Sequence, residues 1–110
     1  MSLEDTKITK ERLAPYFEQW ASCKPEIQEK YDRKDASVHE DMTDAIGRYE
    51  ILLGICAMAG GSDRRTRLEP LNGKERLQFV KDKIASPFAL IQLDGLYIEL
   101  QKKAARYTAR

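Results

Sequence analysis

A chain of 110 residues suits one domain with a hydrophobic core of its own. Charged residues at 34% against 42% hydrophobic, with no low-complexity tract, exclude a disordered or fibrous chain and fit a soluble, helix-rich protein. The net charge of +1 hides an asymmetry, since residues 1–60 hold 8 Lys/Arg against 12 Asp/Glu and residues 61–110 hold 11 against 6, a balance of −4 followed by +5. A dedicated nucleic-acid module is usually basic overall, so attraction between the two halves, within the fold or across an antiparallel dimer, is the expected use of that asymmetry.

The chain begins Met-Ser-Leu-Glu-Asp, without the basic, apolar and small-residue succession of a signal peptide, and a cytoplasmic location is the expectation. Residues 1–7 are polar and expected to fray. Thr9 fits a helix cap with Ile8 stapled on Leu13, and Leu13, Tyr16, Phe17 and Trp20 form a helical face that reads as core. Pro15 is expected to kink this helix or delay its start, and Lys24-Pro25 to end it, so that a short second helix runs from Pro25 to about Arg33. Cys23 and Cys56 read as two reduced, partly buried thiols.

A long central helix is predicted over residues 36–60. Ser37 with Glu40 fits a capping box at its start, and Gly60-Gly61 supplies the left-handed residue that commonly closes a helix. Val38, Met42, Ala45, Tyr49, Leu52, Cys56 and Ala59 recur at steps of four and three and mark its inward side, while Ile51, Ile55 and Met58 lie opposite. His39, the only histidine, sits beside Glu40 and Asp41, but adjacent residues point apart on a helix, so an exposed first-turn histidine is expected rather than a metal ligand.

Residues 61–72 read as a long basic loop. Glycines followed by Arg64, Arg65 and Arg67, with Lys74 beyond, could gather backbone N–H groups and guanidinium groups around an anion. The stretch lacks P-loop spacing and follows a helix rather than a strand. Asn72 with Glu75 repeats the cap pattern, predicting a helix from Gly73 to Ala85 with Leu77, Val80 and Ile84 inward and Lys74, Arg76, Lys81 and Lys83 mainly outward.

Ser86-Pro87 opens the last element. Asp94-Gly95 between apolar runs is a hairpin signal, with Ala89–Leu93 and Leu96–Leu100 as its strands. Against it, Leu90, Leu93, Tyr97, Leu100, Ala104 and Tyr107 keep helical period through the supposed turn, and one helix over 87–107 is the expectation. Gly95 costs such a helix about 1 kcal/mol relative to alanine and points to a close helix crossing.

The fold class expected is therefore an all-α bundle of four to five helices, one domain over residues 1–110. No nucleophile motif, metal-ligand spacing or phosphate loop is present, so neither an enzyme nor a cofactor is expected. Surplus apolar surface at Ile51, Ile55, Met58, Ile91 and Ile98 points to a protein–protein interaction module, an adaptor, inhibitor, chaperone or assembly subunit, that self-associates as a homodimer. The alternative is a nucleic-acid-binding regulator using the basic residues of 64–83 and Lys102, Lys103, Arg106 and Arg110.

Overall fold

The computed structural model describes the backbone of residues 10–68 and 70–108 and the side chains of residues 11–56 and 70–105. Four helices follow one another, α1 (Lys10–Asp32), α2 (Val38–Leu68), α3 (Gly73–Asp82) and α4 (Pro87–Thr108), and no strand occurs among the described residues. The expected cap at Thr9, the staple at Ile8 and the frayed start lie outside the described residues.

α1 is a single helix through both prolines, where two helices were expected. A proline inside a helix removes one backbone hydrogen bond and costs about 3 kcal/mol. Pro15 and Pro25 stand on the exposed side, and the buried Leu13, Trp20, Ile27 and Tyr31 lie on the other. Burial of Trp20 before Pro25, and of Ile27 and Tyr31 after it, holds one helical course across the break, since each fully buried large side chain contributes about 1.5–3 kcal/mol. The helix ends in a Schellman motif. Lys34 takes the left-handed conformation (φ 57°), its N–H donates to the Tyr31 carbonyl at 3.1 Å, and the Asp35 N–H donates to the Lys30 carbonyl at 2.8 Å.

The start of α2 differs from the expected capping box. The Ser37 backbone N–H and hydroxyl both donate to Asp35 Oδ1, at 2.9 and 2.8 Å, so Asp35 is the acceptor that orders this turn and Glu40 stays exposed. Those bonds to its charged form lower the Asp35 pKa below the usual carboxylate range. At the far end Gly60-Gly61 does not close the helix, which continues to Leu68. Glycine permits the left-handed conformation without requiring it, and the stretch beyond is rich in arginine, a good helix former. The firmer stop is Pro70, which lies outside the helix and has no N–H to donate to a continuing one. Only residues 69–72 then separate α2 from α3, in place of the long loop.

α3 is shorter than expected, and its start is not the predicted cap. Asn72 adopts φ 54° with no side-chain bond to the helix, while its carbonyl accepts the Arg76 N–H at 3.0 Å. Asparagine tolerates this left-handed turn better than most residues. α4 is one continuous helix, so the hairpin is overturned. The helical period of its apolar residues wins over the local Asp-Gly turn signal because it buries Leu90, Leu93, Leu96, Tyr97, Leu100 and Ala104 together.

α4 is the hub, packing against each of the other three helices, while α1 also packs on α2. Trp20 meets Asp94, and Tyr31 donates its hydroxyl to the Ile84 carbonyl at 2.6 Å, so α1 and α4 run antiparallel. At the centre the rings of Trp20 and Tyr97 stack at 4.6 Å and 6°, and Tyr49 meets Tyr97 edge-on at 5.1 Å. Tyr97 also donates its buried hydroxyl to the Ala45 carbonyl at 2.8 Å, tying α4 to α2.

Candidate protein-docking face

One side of α4 is committed to the core, and the other is not. Phe88, Ile91 and Ile98 are 66%, 64% and 42% exposed. Their separations of three and seven residues stack them on one side of the helix, turned away from Leu93 and Leu100. α1 flanks this strip on one edge, where Asp94 receives Lys24 and Trp20. α3 flanks it on the other, where Arg76 reaches Gln92 and Glu99.

The remaining sequence-predicted interface residues fall elsewhere. Ile51 is 55% exposed on α2. It lies two residues from Tyr49, about 200° round the helix by the turn per residue, and Tyr49 is the residue that meets Tyr97 of α4. Ile51 therefore faces away from α4, and does not join the strip of Ile91 and Ile98. Ile55 is partly buried and packs against the core. The side chain of Met58 lies outside the described residues.

The α1 edge of the strip is a groove of about 490 Å³ bordered by Phe17, Trp20, Lys24, Tyr97, Ile98 and Gln101. Asp94 closes its floor. Its Oδ1 accepts the Trp20 indole N–H at 2.9 Å and its Oδ2 accepts Lys24 Nζ at 2.7 Å. Sequence reasoning missed this arrangement, although one acid inside the apolar run Phe88–Leu100 was the available signal, since a carboxylate there needs partners.

On the α3 edge Arg76 does not face outward as expected. Its Nε donates to Gln92 Oε1 at 2.8 Å, its Nη1 donates to the Leu71 carbonyl at 3.2 Å and pairs with Glu99, and its side chain is largely covered. Gly95 explains the approach, because a Cβ at that position would stand 3.1 Å from Arg76 Nη2. The missing side chain is the space in which the guanidinium lies.

The cysteines are free thiols. Cys23 accepts a contact from Arg48 Nη2 at 3.7 Å, yet burial outweighs the guanidinium and raises its pKa, the reverse of an activated nucleophile. Burial likewise pushes the Cys56 thiol up to about 11 and the Tyr31 hydroxyl up to about 12, from ordinary values of 9.0 and 10.0. Both groups fold neutral, so their contribution is complete below pH 9 and is lost as the pH climbs towards their folded values, where the unfolded chain has already released the protons. Stability is expected to fall between about pH 9 and 12, by about 1.4 kcal/mol per unit of pKa difference as an upper bound for each group. Urea melts at pH 8 and pH 10.5 check this, and Cys56→Ala should flatten the lower part of the slope.

His39 is exposed, and no cluster of metal-ligating side chains occurs among the described residues. Lys74 and Lys102 are exposed cations. The side chains of Arg64, Arg65, Arg67, Arg106 and Arg110 lie outside the described residues. The backbone at positions 64–67 is helical, so its interior N–H groups are engaged by carbonyls one turn back and do not form the anion-cradling loop expected from the glycines. No described helix is long and apolar enough to cross a membrane.

No curated protein and no solved structure shows a significant match to the chain. Residues 10–110, nearly the whole sequence, match the family described as YpoC-like protein, and the chain belongs to that family.

Proposed function

We propose that this protein is a non-catalytic helical interaction module that self-associates as a cytoplasmic homodimer through the outer side of α4. The observation that carries this reading is the exposure of Phe88, Ile91 and Ile98 on one side of the helix whose other side is fully occupied. Contiguous apolar surface of this kind is characteristic of an interface.

A second copy fits the strip by symmetry. In a two-fold contact the same residues meet from both sides, and an antiparallel crossing of two α4 helices centred between Asp94 and Gly95 sets Ile91 of one protomer against Ile98 of the other. The same crossing carries Phe88 to the region of Gln101 and the α1 groove. It also brings the C-terminal part of α4, with Lys102 and Lys103, towards the α1–α2 turn of the other protomer, where Asp35 and Asp41 are already paired with Arg33 and Lys30 and the exposed Asp32 and Glu40 are the acids that remain. Opposite charges at a rim steer association more than they strengthen it.

The test is sedimentation of three variants beside the native protein. Ile91→Glu and Ile98→Glu should each convert a dimer into a folded monomer with unchanged helical circular dichroism, while Ile51→Glu should leave the dimer intact. A dimer broken by Ile51→Glu and untouched by Ile98→Glu would move the interface to α2. Salt-sensitive submicromolar binding to a defined DNA or RNA, with no dimer, would favour the nucleic-acid alternative through Arg64, Arg65, Arg67 and Lys74.

A further inference from the structure

α1, α2 and α4 are each anchored by several buried side chains, and α3 by one. Of its ten residues only Val80 is fully buried, with Leu77 partly covered and Phe79 39% exposed. It starts without a side-chain cap, in a left-handed Asn72, and ends in a three-residue turn before Ser86. Its other attachments are polar. Arg76 binds Gln92 and Glu99 across the notch at Gly95, and Lys81 reaches Glu50 of α2 at 3.1 Å with both partners about half exposed.

We propose that α3 is a strap that opens as a unit from a body formed by α1, α2 and α4. A helix of ten residues is not stable alone in water, so α3 unravels once it leaves α4, and segments with few buried contacts are those that open below the global unfolding threshold. Its release uncovers the flank of α4 that carries Gln92, Leu96 and Glu99. That flank is continuous with Phe88, Ile91 and Ile98, so opening widens the apolar face that a docking partner meets. The consequence for docking rests on the α4 reading above; the opening itself does not.

The contacts that hold the strap define how it responds. Exposed ion pairs weaken as salt shortens the screening length from about 10 Å at 0.1 M to about 3 Å at 1 M, whereas buried apolar contacts do not weaken in this way. Salt also screens the Lys24–Asp94 pair between α1 and α4, but there several buried side chains share the load, so salt should loosen α3 more than α4.

Hydrogen exchange of the native protein, read by mass spectrometry at low protein concentration, tests this. Amides of residues 76–83 should exchange at least about 100-fold faster, after correction for intrinsic rates, than those of residues 94–104, as expected of sub-global opening. Raising NaCl from 0.1 to 1 M should speed the α3 amides several-fold and those of α4 less. Arg76→Ala should speed them about 10-fold further, the loss of a charge-assisted bond, and Gly95→Leu, which fills the guanidinium's space, should act in the same direction. Equal protection of α3 and α4, or salt acceleration of both to the same degree, overturns the strap. Because the salt titration uses the unmodified chain, misfolding of a variant does not blunt the test. A protein that remains monomeric while α3 opens selectively retains the strap and loses the docking reading; a dimer whose α3 is as protected as α4 does the opposite.

Discussion

Replacing Trp20 with alanine is expected to destabilise the protein by about 3–5 kcal/mol, the range for deleting a large buried aromatic side chain. Three losses coincide at this position. The indole is 5% exposed, so its removal opens a large cavity between α1 and α4. Its stack on Tyr97 disappears, and aromatic pairs contribute about 0.5–1.5 kcal/mol beyond area alone. Asp94 also loses the indole N–H and keeps only Lys24, whose side chain is 42% exposed. Trp20→Phe separates these terms, since it keeps a ring against Tyr97 and removes the donor, and should cost about 1–3 kcal/mol. Urea denaturation followed by circular dichroism measures both, and equal losses for the two variants would show that the hydrogen bond, not the packing, holds α1 on α4.

Leu93→Ala is the second large effect, at about 2–5 kcal/mol. Leu93 has no exposed surface and lies on the inward side of the helix that touches every other helix. A cavity there cannot be closed by shifting one neighbour without disturbing the packing of others, which places it towards the costly end of the range. Leu52→Ala, on the inward side of α2, should fall in the same range, and His39→Ala should change stability by less than about 0.5 kcal/mol because the ring is exposed. Comparable midpoint shifts for Leu93→Ala and His39→Ala would contradict this core.

Burial on both sides of a residue decided where local sequence signals were followed and where they were overridden. The inward stripes of α2 and α4 were legible because a helical period repeated over many residues is a long-range statement about one side of a helix. At Asp94-Gly95 that period outweighed a two-residue turn signal. At Pro25 the same logic applies, with Trp20 before the break and Ile27 and Tyr31 after it, and their shared burial carries the helix through a residue whose local signal is a boundary. Gly60-Gly61 misled in the same way, because a glycine pair permits a stop and only a residue such as Pro70 enforces one. Gly95 did announce a close approach, although what comes close is the Arg76 side chain rather than a helix backbone. Nothing in the sequence distinguished Arg76 from Lys74 or Lys81, since the difference lies in what α4 places opposite it. The exposed strip was partly legible. Ile91 and Ile98 are set off from the inward residues by Asp94 and Gln101, while the separation of Ile51 from them depends on how α2 packs against α4, which spacing within one helix does not reveal.

α4 is core on one side, and the proposed dimer uses its other side as the docking face for a second copy. Light-scattering mass of the native protein over a micromolar concentration series separates this dimer from a monomer. The mass is expected to rise to twice 12.7 kDa, with Ile98→Glu held at 12.7 kDa and equally helical. A native protein that stays at 12.7 kDa throughout would contradict it.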